Sequence, residues 1–262
     1  MIDSHCHLNF DSLRNNFDEL IINSINNNLT SILTINTDPK EFYDHLNLIK
    51  KYKSIYISYG LHPENVSSHT VFTKDNILLN CKNQKVIAIG ETGLDFYHSV
   101  KFKKKQYDVF ETHIQASIEN QLPIIIHQRN SENEIIEVLK SYQKKFCLPV
   151  VFHCFSGSKN LLNFCLDNNF YISLSGIITF KNAQELRKII KDVSLDYLLI
   201  ETDSPFLSPV PMRGKSNQPA FVKYIAEFLS NFFNISLKQF IEITDNNFYK
   251  LFSKAKRYND FQ

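Results

Sequence analysis

The sequence lacks the features of membrane-inserted, exported and disulfide-stabilised proteins. No apolar run approaches the roughly 20 residues needed to span a bilayer. The N-terminus enters an apolar strand at once, without the basic and apolar regions of a signal peptide. The five cysteines are odd in number and show no CxxC spacing, which favours reduced thiols. These absences predict a cytoplasmic protein with no membrane association.

The sequence also lacks the common nucleotide and nucleophile motifs. It contains no P-loop, no GxGxxG and no GxSxG. Its net charge of +2 gives no strong electrostatic footprint for nucleic acid over the whole chain, so any phosphate binding must be local. The hydrophobic fraction of 43% is ordinary for a globular protein and can fill a sizeable core.

Short buried strands alternate with amphipathic helices along the chain. The clearest strand is Val86-Ile87-Ala88-Ile89-Gly90, an apolar run without helical spacing that ends at the carboxylate of Glu91. Seven further strands of this kind are expected. The eight predicted strands cover 2–7, 31–36, 54–60, 86–91, 123–127, 150–153, 170–176 and 197–201. Helical spacing and capping residues fill the intervals, with a capping box of Ser131 and Glu134 and a cap near Ser158. Two helices close the chain at 219–233 and 236–252, the second beginning at Ser236 with Gln239 as its capping-box partner.

This alternation predicts an α/β protein with a parallel sheet. A (β/α)8 TIM barrel that forms a single domain over residues 1–262 is the leading architecture, and a doubly wound open sheet is the alternative. The glycines favour the barrel, because all of them fall at or just after the C-terminal end of a strand, where barrel enzymes keep their sites. They are Gly60, Gly90, Gly93, Gly157, Gly176 and Gly214.

Metal-ligand residues collect at the same strand ends. His5 and His7 are two apart on a strand, so their side chains share one face, about 7 Å apart along the backbone. Cys6 lies between them and is expected to point toward the helix layer as packing. The candidate ligands are His5, His7, Glu91, His127, His153 and Asp203. They are too many for one catalytic ion and suit two ions if a carboxylate bridges them.

Each candidate ligand also has an ordinary structural interpretation. A histidine at a strand end is often only a polar residue at the edge of a core, and Glu91 could cap the next helix. Asp203 could be a turn residue. The shared face of His5 and His7 and the clustering of all six argue for metal binding. Imidazole with carboxylate suits Zn, Mn, Co or Ni, whereas Mg prefers fewer imidazoles.

Cationic residues near these ligands are candidates for substrate binding. Arg129 follows His127 by two residues and can clamp a substrate oxyanion, although it can also be a surface arginine. The loop 212–219 brings Arg213, Gly214 and Lys215 after the last strand, as a phosphate-contacting loop or a solvated connection. A lysine run over 101–105 is interpreted as a solvated face.

Six motifs in order resemble the TatD family, a group of metal-dependent hydrolases in the amidohydrolase superfamily that includes many DNases. They are Asp3-Ser4-His5-Cys6-His7, Gly60-Leu61-His62-Pro63, Ile89-Gly90-Glu91-Thr92-Gly93-Leu94-Asp95, His127-Gln128-Arg129, His153-Cys154-Phe155-Ser156-Gly157 and Glu201-Thr202-Asp203-Ser204-Pro205. The resemblance runs from Met1 to about Phe252. It departs at Met212, where relatives often carry histidine, which puts a substrate contact in question.

The resemblance implies a TIM barrel with a two-metal site. In it His5, His7, Glu91 and Asp203 hold one ion, and Glu91, His127 and His153 hold the other. His62 resembles the residue that contacts substrate phosphate. The divalent ions can be Zn, Mn, Mg, Co or Ni.

The predicted function is that of a deoxyribonuclease of the 3′–5′ exonuclease type, with DNA as substrate and no obligate protein partner, as a monomer. Two cations would activate a water, and Asp203 would take its proton, with Glu91 as the second catalytic residue. The substrate-binding candidates are His62, Arg129, Arg213 and Lys215. The alternatives are an ester or amide hydrolase, such as an aminoacyl-tRNA deacylase, and a metal-binding scaffold without useful catalysis.

Overall fold

The computed structural model describes residues 1–257 and 261–262. Eight parallel strands form one sheet whose spatial order is the order of the chain, from β1 to β8. The strands are β1 Ile2–Cys6, β2 Ser31–Thr34, β3 Ile55–Tyr59, β4 Val86–Asp95, β5 Ile124–Arg129, β6 Val150–Phe152, β7 Tyr171–Leu174 and β8 Leu198–Ile200. This order has no switch point, so the doubly wound alternative is wrong.

Backbone hydrogen bonds bring the last strand round to the first. The N–H of Asp203 donates to the carbonyl of His5 at 2.9 Å, and the N–H of His7 donates to the carbonyl of Ser204 at 2.8 Å. The sheet is therefore a nearly closed barrel, as predicted. Across the described residues, none of the helices combines the length and apolarity that crossing a bilayer requires.

Helices occupy the predicted intervals between strands. They are α1 Asp11–Arg14, α2 Phe17–Asn26, α3 Phe42–Ile49, α4 Lys74–Asn80, α5 Lys103–Asn120, α6 Glu132–Gln143, α7 Lys159–Asp167, α8 Gln184–Ile190, α9 Val222–Phe232 and α10 Leu237–Leu251. Ser158 and Ser236 cap α7 and α10 through their hydroxyls, as the sequence predicts. The predicted capping box of Ser131 and Glu134 is wrong, because the Ser131 hydroxyl donates to the Leu94 carbonyl and Glu134 pairs with Lys103.

Alternating residues on the strands divide the apolar side chains into two cores. The larger core lies between the sheet and the helices and contains Cys6, which is fully buried. Cys6 therefore points toward the helix layer as predicted. The smaller core takes residues from every strand, such as Leu33, Ile125 and Leu199, and packs against Phe248 of α10. This second core fills the barrel interior, and α10 covers its N-terminal end.

The fourth strand is longer than predicted. It continues from Glu91 to Asp95, because β5 keeps pairing with it up to the partners Asp95 and Arg129. Gly93 permits this close pairing, since it has a φ of +142° and an added Cβ would lie 2.0 Å from the carbonyl oxygen of His127. The extension carries a second carboxylate, Asp95, into the rim of the barrel.

His113 is a buried neutral histidine away from the rim ligands. Its Nε2 accepts the N–H of Leu61 at 3.1 Å, and its Nδ1 lies 2.7 Å from the carbonyl of Val109. Burial lowers the pKa of His113 to about 4. A proton added at Nε2 would face the N–H of Leu61, so protonation of His113 is unfavourable in the folded state. In the unfolded chain His113 takes up a proton at its ordinary pKa of about 6.5.

This environment predicts acid destabilisation of the fold. Because the folded pKa is depressed, the contribution of His113 to stability is complete above about pH 6.5 and is lost as the pH falls toward 4. The loss can reach ~1.4 kcal/mol per pH unit. In urea unfolding with a chelator present, His113→Gln should flatten the pH dependence over this window, whereas His69→Gln, at an exposed position, should not. An unchanged slope in His113→Gln would contradict the assignment.

Candidate metal centre

The barrel brings all six predicted ligands to one point at the C-terminal ends of its strands. Their donor atoms fall into overlapping groups in which every atom lies within 4.8 Å of the others. The groups are His5, His7 and Asp203; His5, Glu91 and His153; and His62, Glu91 and His127. His62, expected from the resemblance to contact substrate phosphate, therefore lies as close to Glu91 as the predicted ligands do.

The first cluster joins the start and the end of the barrel. His7 Nε2 lies 3.2 Å from Asp203 Oδ1, and His5 Nε2 lies 3.8 Å from the same oxygen. The His5 and His7 rings are 5.1 Å apart, which agrees with their shared strand face. The backbone hydrogen bond from Asp203 to His5 holds Asp203 in this cluster, although its φ of +53° is uncommon for a non-glycine residue.

The second cluster surrounds one oxygen of Glu91. Glu91 Oε1 lies 2.7 Å from His153 Nε2 and 3.1 Å from His127 Nδ1. His62 Nε2 is 3.3 Å from the same oxygen. The other oxygen, Oε2, faces the first cluster and lies 3.4 Å from His5 Nε2. Glu91 thus presents one carboxylate oxygen to each cluster.

Buried donor atoms at this point are short of partners within the described chain. His5 Nε2 and Glu91 Oε2 are both buried and make no hydrogen bond there. Such groups are costly unless hydrogen-bonded or bound to a cation. Imidazole nitrogens and carboxylate oxygens are the donor set that divalent transition metals prefer. The residues present therefore fit divalent cations.

In the absence of metal, the electrostatics keep Glu91 ionised and His5 neutral, as metal binding requires, but they favour a proton on His153. Burial alone raises the pKa of Glu91, but the charge and hydrogen bonds of His153, His62 and His127 outweigh it and hold the pKa well below its usual range. Burial, together with His153, lowers the pKa of His5, which keeps its imidazole neutral. Burial also acts to lower the pKa of His153, but Glu91 and Glu201 raise it well above its ordinary value. A protonated His153 thus supplies the positive charge that a cation would replace.

Comparison with known proteins identifies the family. The sequence model described as TatD related DNase matches residues 2–253. This chain belongs to the TatD family. An uncharacterised metal-dependent hydrolase of Buchnera aphidicola from Acyrthosiphon pisum is 44% identical, over 97% of this chain and 99% of its own. The uncharacterised metal-dependent hydrolase YabD of Bacillus subtilis is 34% identical, over 96% and 98%.

Solved structures agree with this family assignment. YjjV, a TatD homologue from Escherichia coli K12, has a TM-score of 0.89 and 25% identity, and the match covers 97% of this chain and 98% of that one. The (β/α)8 barrel and the membership of a metal-dependent hydrolase family are thereby established, as the sequence predicts.

Two further carboxylates contact the histidines of this TatD-family site, and the sequence motifs predict a role for neither of them. Asp95 Oδ2 lies 2.9 Å from His127 Nε2, on the side of the ring opposite to Glu91. Glu201 Oε1 lies 3.4 Å from His153 Nδ1 and accepts the N–H of Cys154 at 2.9 Å. Carboxylates of this kind set the tautomer and orientation of metal-binding histidines. The two-residue period of a strand is the signal that could have identified them. Asp95 lies four residues after Glu91, and Glu201 lies two residues before Asp203.

A buried carboxylate also fixes the segment that carries Asp203. Asp3 is completely buried, and its Oδ1 accepts the backbone N–H of Thr202 at 2.9 Å. Its Oδ2 accepts the Thr202 hydroxyl at 2.6 Å. Since Thr202 precedes Asp203 directly, Asp3 anchors the Asp203 ligand to the first strand.

A pocket of about 270 Å³ opens above the donor atoms. It is lined by His7, Phe10, Thr37, His62, Glu64, Asn65, Glu91, Asp95, His127, Arg129, His153, Asp203 and Phe206. Arg129 stands at its mouth, stacked on the ring of Tyr97 at 3.7 Å. The pocket therefore contains both the candidate metal donors and the positively charged guanidinium of Arg129.

The structure does not bring every predicted substrate-binding residue to this pocket. Arg213 stacks on Phe180 at 3.9 Å and donates to the carbonyl of Ser208 at 3.1 Å. Lys215 is exposed on the same loop, and neither side chain lines the pocket. Met212 is half-buried, and its backbone N–H donates to the Pro209 carbonyl.

The contact between Asp95 and His127 predicts a loss of metal affinity in Asp95→Asn. The amide NH2 facing His127 Nε2 would favour the tautomer whose proton sits on Nδ1, the atom that faces Glu91. Partners of metal-binding histidines are typically worth about 10–100-fold in affinity. Titration with Mn²⁺ or Zn²⁺ should show a loss of this size.

Asp75→Asn, at an exposed position on α4, is the matched control and should bind metal like the unmodified protein. Equal affinities in the two variants would show that Asp95 does not act through His127.

Proposed function

We propose that this protein hydrolyses phosphodiester bonds in DNA, as a 3′–5′ exonuclease, with a two-cation centre. The observation that carries the proposal is the position of Glu91, which offers one carboxylate oxygen to each of two histidine-containing clusters beneath a pocket with Arg129 at its mouth. Paired divalent cations a few ångströms apart are typical of phosphate ester hydrolysis. The family match to TatD-related DNases supports the same reaction class.

The two clusters divide the proposed ligands between two ions. His5, His7, Asp203 and Glu91 Oε2 would hold one cation, and His127, His153 and Glu91 Oε1 would hold the other. When bound, two such cations lower the pKa of a coordinated water and stabilise the negative charge on the phosphoryl oxygens. Glu91 would keep the two sites at a fixed separation.

Asp203 is better placed than Glu91 to exchange a proton with water. The Asp203 side chain is 14% exposed toward the pocket, whereas that of Glu91 is 2% exposed. In the proposed reaction Asp203 accepts the proton of the attacking water, and Glu91 stays ionised between the clusters. His7, 3.2 Å from Asp203, keeps the carboxylate oriented.

Substrate phosphate would be held by groups that line the pocket. Arg129 offers a fixed guanidinium, because stacking on Tyr97 limits its freedom. His62 stands beside Glu91 and can donate to a phosphate oxygen or serve as an additional metal ligand. Arg213 and Lys215 lie outside the pocket, so in this proposal they contact the DNA backbone away from the scissile bond.

The experiment that tests the function is a substrate panel with purified protein in Mg²⁺, Mn²⁺, Co²⁺, Ni²⁺ or Zn²⁺. The substrates are single- and double-stranded DNA labelled at either end, RNA of the same sequence, and an aminoacyl-tRNA. We expect mononucleotides released from the 3′ end of DNA. Turnover of the aminoacyl ester alone would replace this function with an esterase activity, and metal binding without any turnover would indicate a scaffold.

Replacing Asp203 and His153 should separate proton transfer from metal binding. Asp203→Asn keeps an oxygen that can weakly ligate a metal but cannot take the water's proton, so kcat should fall by at least ~10²–10⁴-fold at any metal concentration. His153→Ala should instead lose metal affinity and recover part of its rate in excess metal. The measurement is kcat against metal concentration. Complete rescue of Asp203→Asn by excess metal would show that Asp203 acts only as a metal ligand and does not accept the proton.

Glu91→Ala tests the bridge between the clusters. Elemental analysis of metal-loaded protein should give close to two ions per chain for the unmodified protein and fewer for Glu91→Ala, with loss of activity. Cys6→Ala is the control, because Cys6 is buried in the core between sheet and helices. It should cost stability through lost packing and spare the metal content. Two ions and full activity in Glu91→Ala would sink the bridging role.

A further inference from the structure

Two phenylalanines stand exposed on the rim of the candidate metal centre. Phe10 is 37% exposed and Phe206 is 48% exposed, and both line the pocket. Their ring centroids are 5.4 Å apart with an interplanar angle of 85°, an edge-to-face pair. Neither ring belongs to either apolar core of the described chain. An exposed apolar pair beside a polar site calls for a role other than packing.

The backbone at both positions is fixed although the rings are exposed. The N–H of Phe10 donates to the His7 carbonyl, and its own carbonyl accepts the N–H groups of Leu13 and Arg14 in α1. The N–H of Phe206 donates to the carbonyl of Asp203 at 3.0 Å. The carbonyl of Phe206 accepts the side-chain amide of the fully buried Asn217 at 2.6 Å. Each ring is therefore held three residues from a candidate metal ligand.

The rings also contact one of those ligands. The His7 ring is 5.4 Å from Phe10 and 6.3 Å from Phe206, in tilted edge contacts. Arg129 reaches the same pocket from β5, on the other side of the histidines. A ligand that fills the pocket thus contacts three kinds of group. They are the candidate metal donors, the guanidinium of Arg129, and the flat apolar surface of the two phenylalanine rings.

A nucleotide matches this combination, because its phosphate is anionic and its base is a flat aromatic group one sugar away. We infer that Phe10 and Phe206 form a stacking platform for the nucleobase next to the scissile phosphate. This inference rests on the proposed nuclease function and names the part of the substrate that the pocket recognises. Stacking on aromatic side chains accepts every base, since each has a π face. The platform therefore favours substrates that carry a base without selecting a sequence.

The test compares DNA that has a base with DNA that lacks one. Single-stranded oligonucleotides are prepared with a normal 3′ end, or with a tetrahydrofuran abasic residue at the last or the next-to-last position. KM and kcat are measured for the unmodified protein and for Phe206→Ala, Phe10→Ala and Phe206→Trp. Phe146→Ala is the matched control, because Phe146 is 43% exposed but lies in the loop before β6, at the opposite end of the barrel.

We expect Phe206→Ala and Phe10→Ala to raise KM for normal DNA by about 5- to 150-fold, the range that loss of one stacked base gives. The same variants should cleave the abasic substrate like the unmodified protein, and Phe206→Trp should retain the low KM for normal DNA. Phe146→Ala should behave as the unmodified protein on every substrate. Metal affinity, measured separately, should be unchanged in Phe206→Ala.

Three results would overturn the inference, and they are distinguishable. An equal rise in KM for normal and abasic DNA would mean that the rings only support His7. If the unmodified protein cleaves DNA and KM is unchanged in both alanine variants, the stacking platform is contradicted but the proposed function is not. An unmodified protein that cleaves no oligonucleotide in any metal would overturn the proposed function and the platform together.

Discussion

The structure depends on the charge of Glu91 at the centre of the barrel rim. Its side chain is 2% exposed, and a carboxylate buried to that extent is costly unless opposite charge surrounds it. His153 and His127 face one oxygen of Glu91, and His5 faces the other. Without cations, the proton on His153 balances this charge. The imidazoles that stabilise the buried charge of Glu91 are also the donor set that fits divalent cations.

Further carboxyl groups hold the candidate ligands around Glu91 in position. Asp95 and Glu201 contact His127 and His153 on the sides of the rings turned away from Glu91. Asp3 acts through the backbone, by holding Thr202 and with it the segment of Asp203. These three carboxyl groups are almost completely buried, and burial raises the pKa of Asp3 well above its usual range. Each of them accepts a backbone N–H, from Thr202, Tyr97 or Cys154, which satisfies the requirement that a buried carboxyl group be hydrogen-bonded.

The two-residue strand period and the order of the strands were enough to predict the barrel and the clustering of the candidate ligands. The two-residue period of a strand placed His5 and His7 on one face and Cys6 on the other, because successive side chains of a β-strand point to opposite faces. The prediction failed where long-range pairing sets local structure. The end of β4 depends on β5, which no local pattern reveals, so Asp95 received no role. The Ser131 hydroxyl binds a carbonyl of β4 rather than its own helix, and the position of Arg213 depends on stacking against Phe180 in another loop.

The residues proposed to face substrate follow the candidate metal ligands at short distances along the chain. Arg129 comes two residues after His127, Phe10 three after His7, and Phe206 three after Asp203. Because each is joined to a ligand by so short a segment, its position is determined by the same hydrogen bonds that fix the metal donors. Arg213 and Lys215 lie ten and twelve residues after Asp203, on a loop outside the pocket. In the proposed function, recognition of the reacting nucleotide is thereby coupled to the candidate metal centre, whereas contacts to the rest of the substrate depend on the loop that carries Met212.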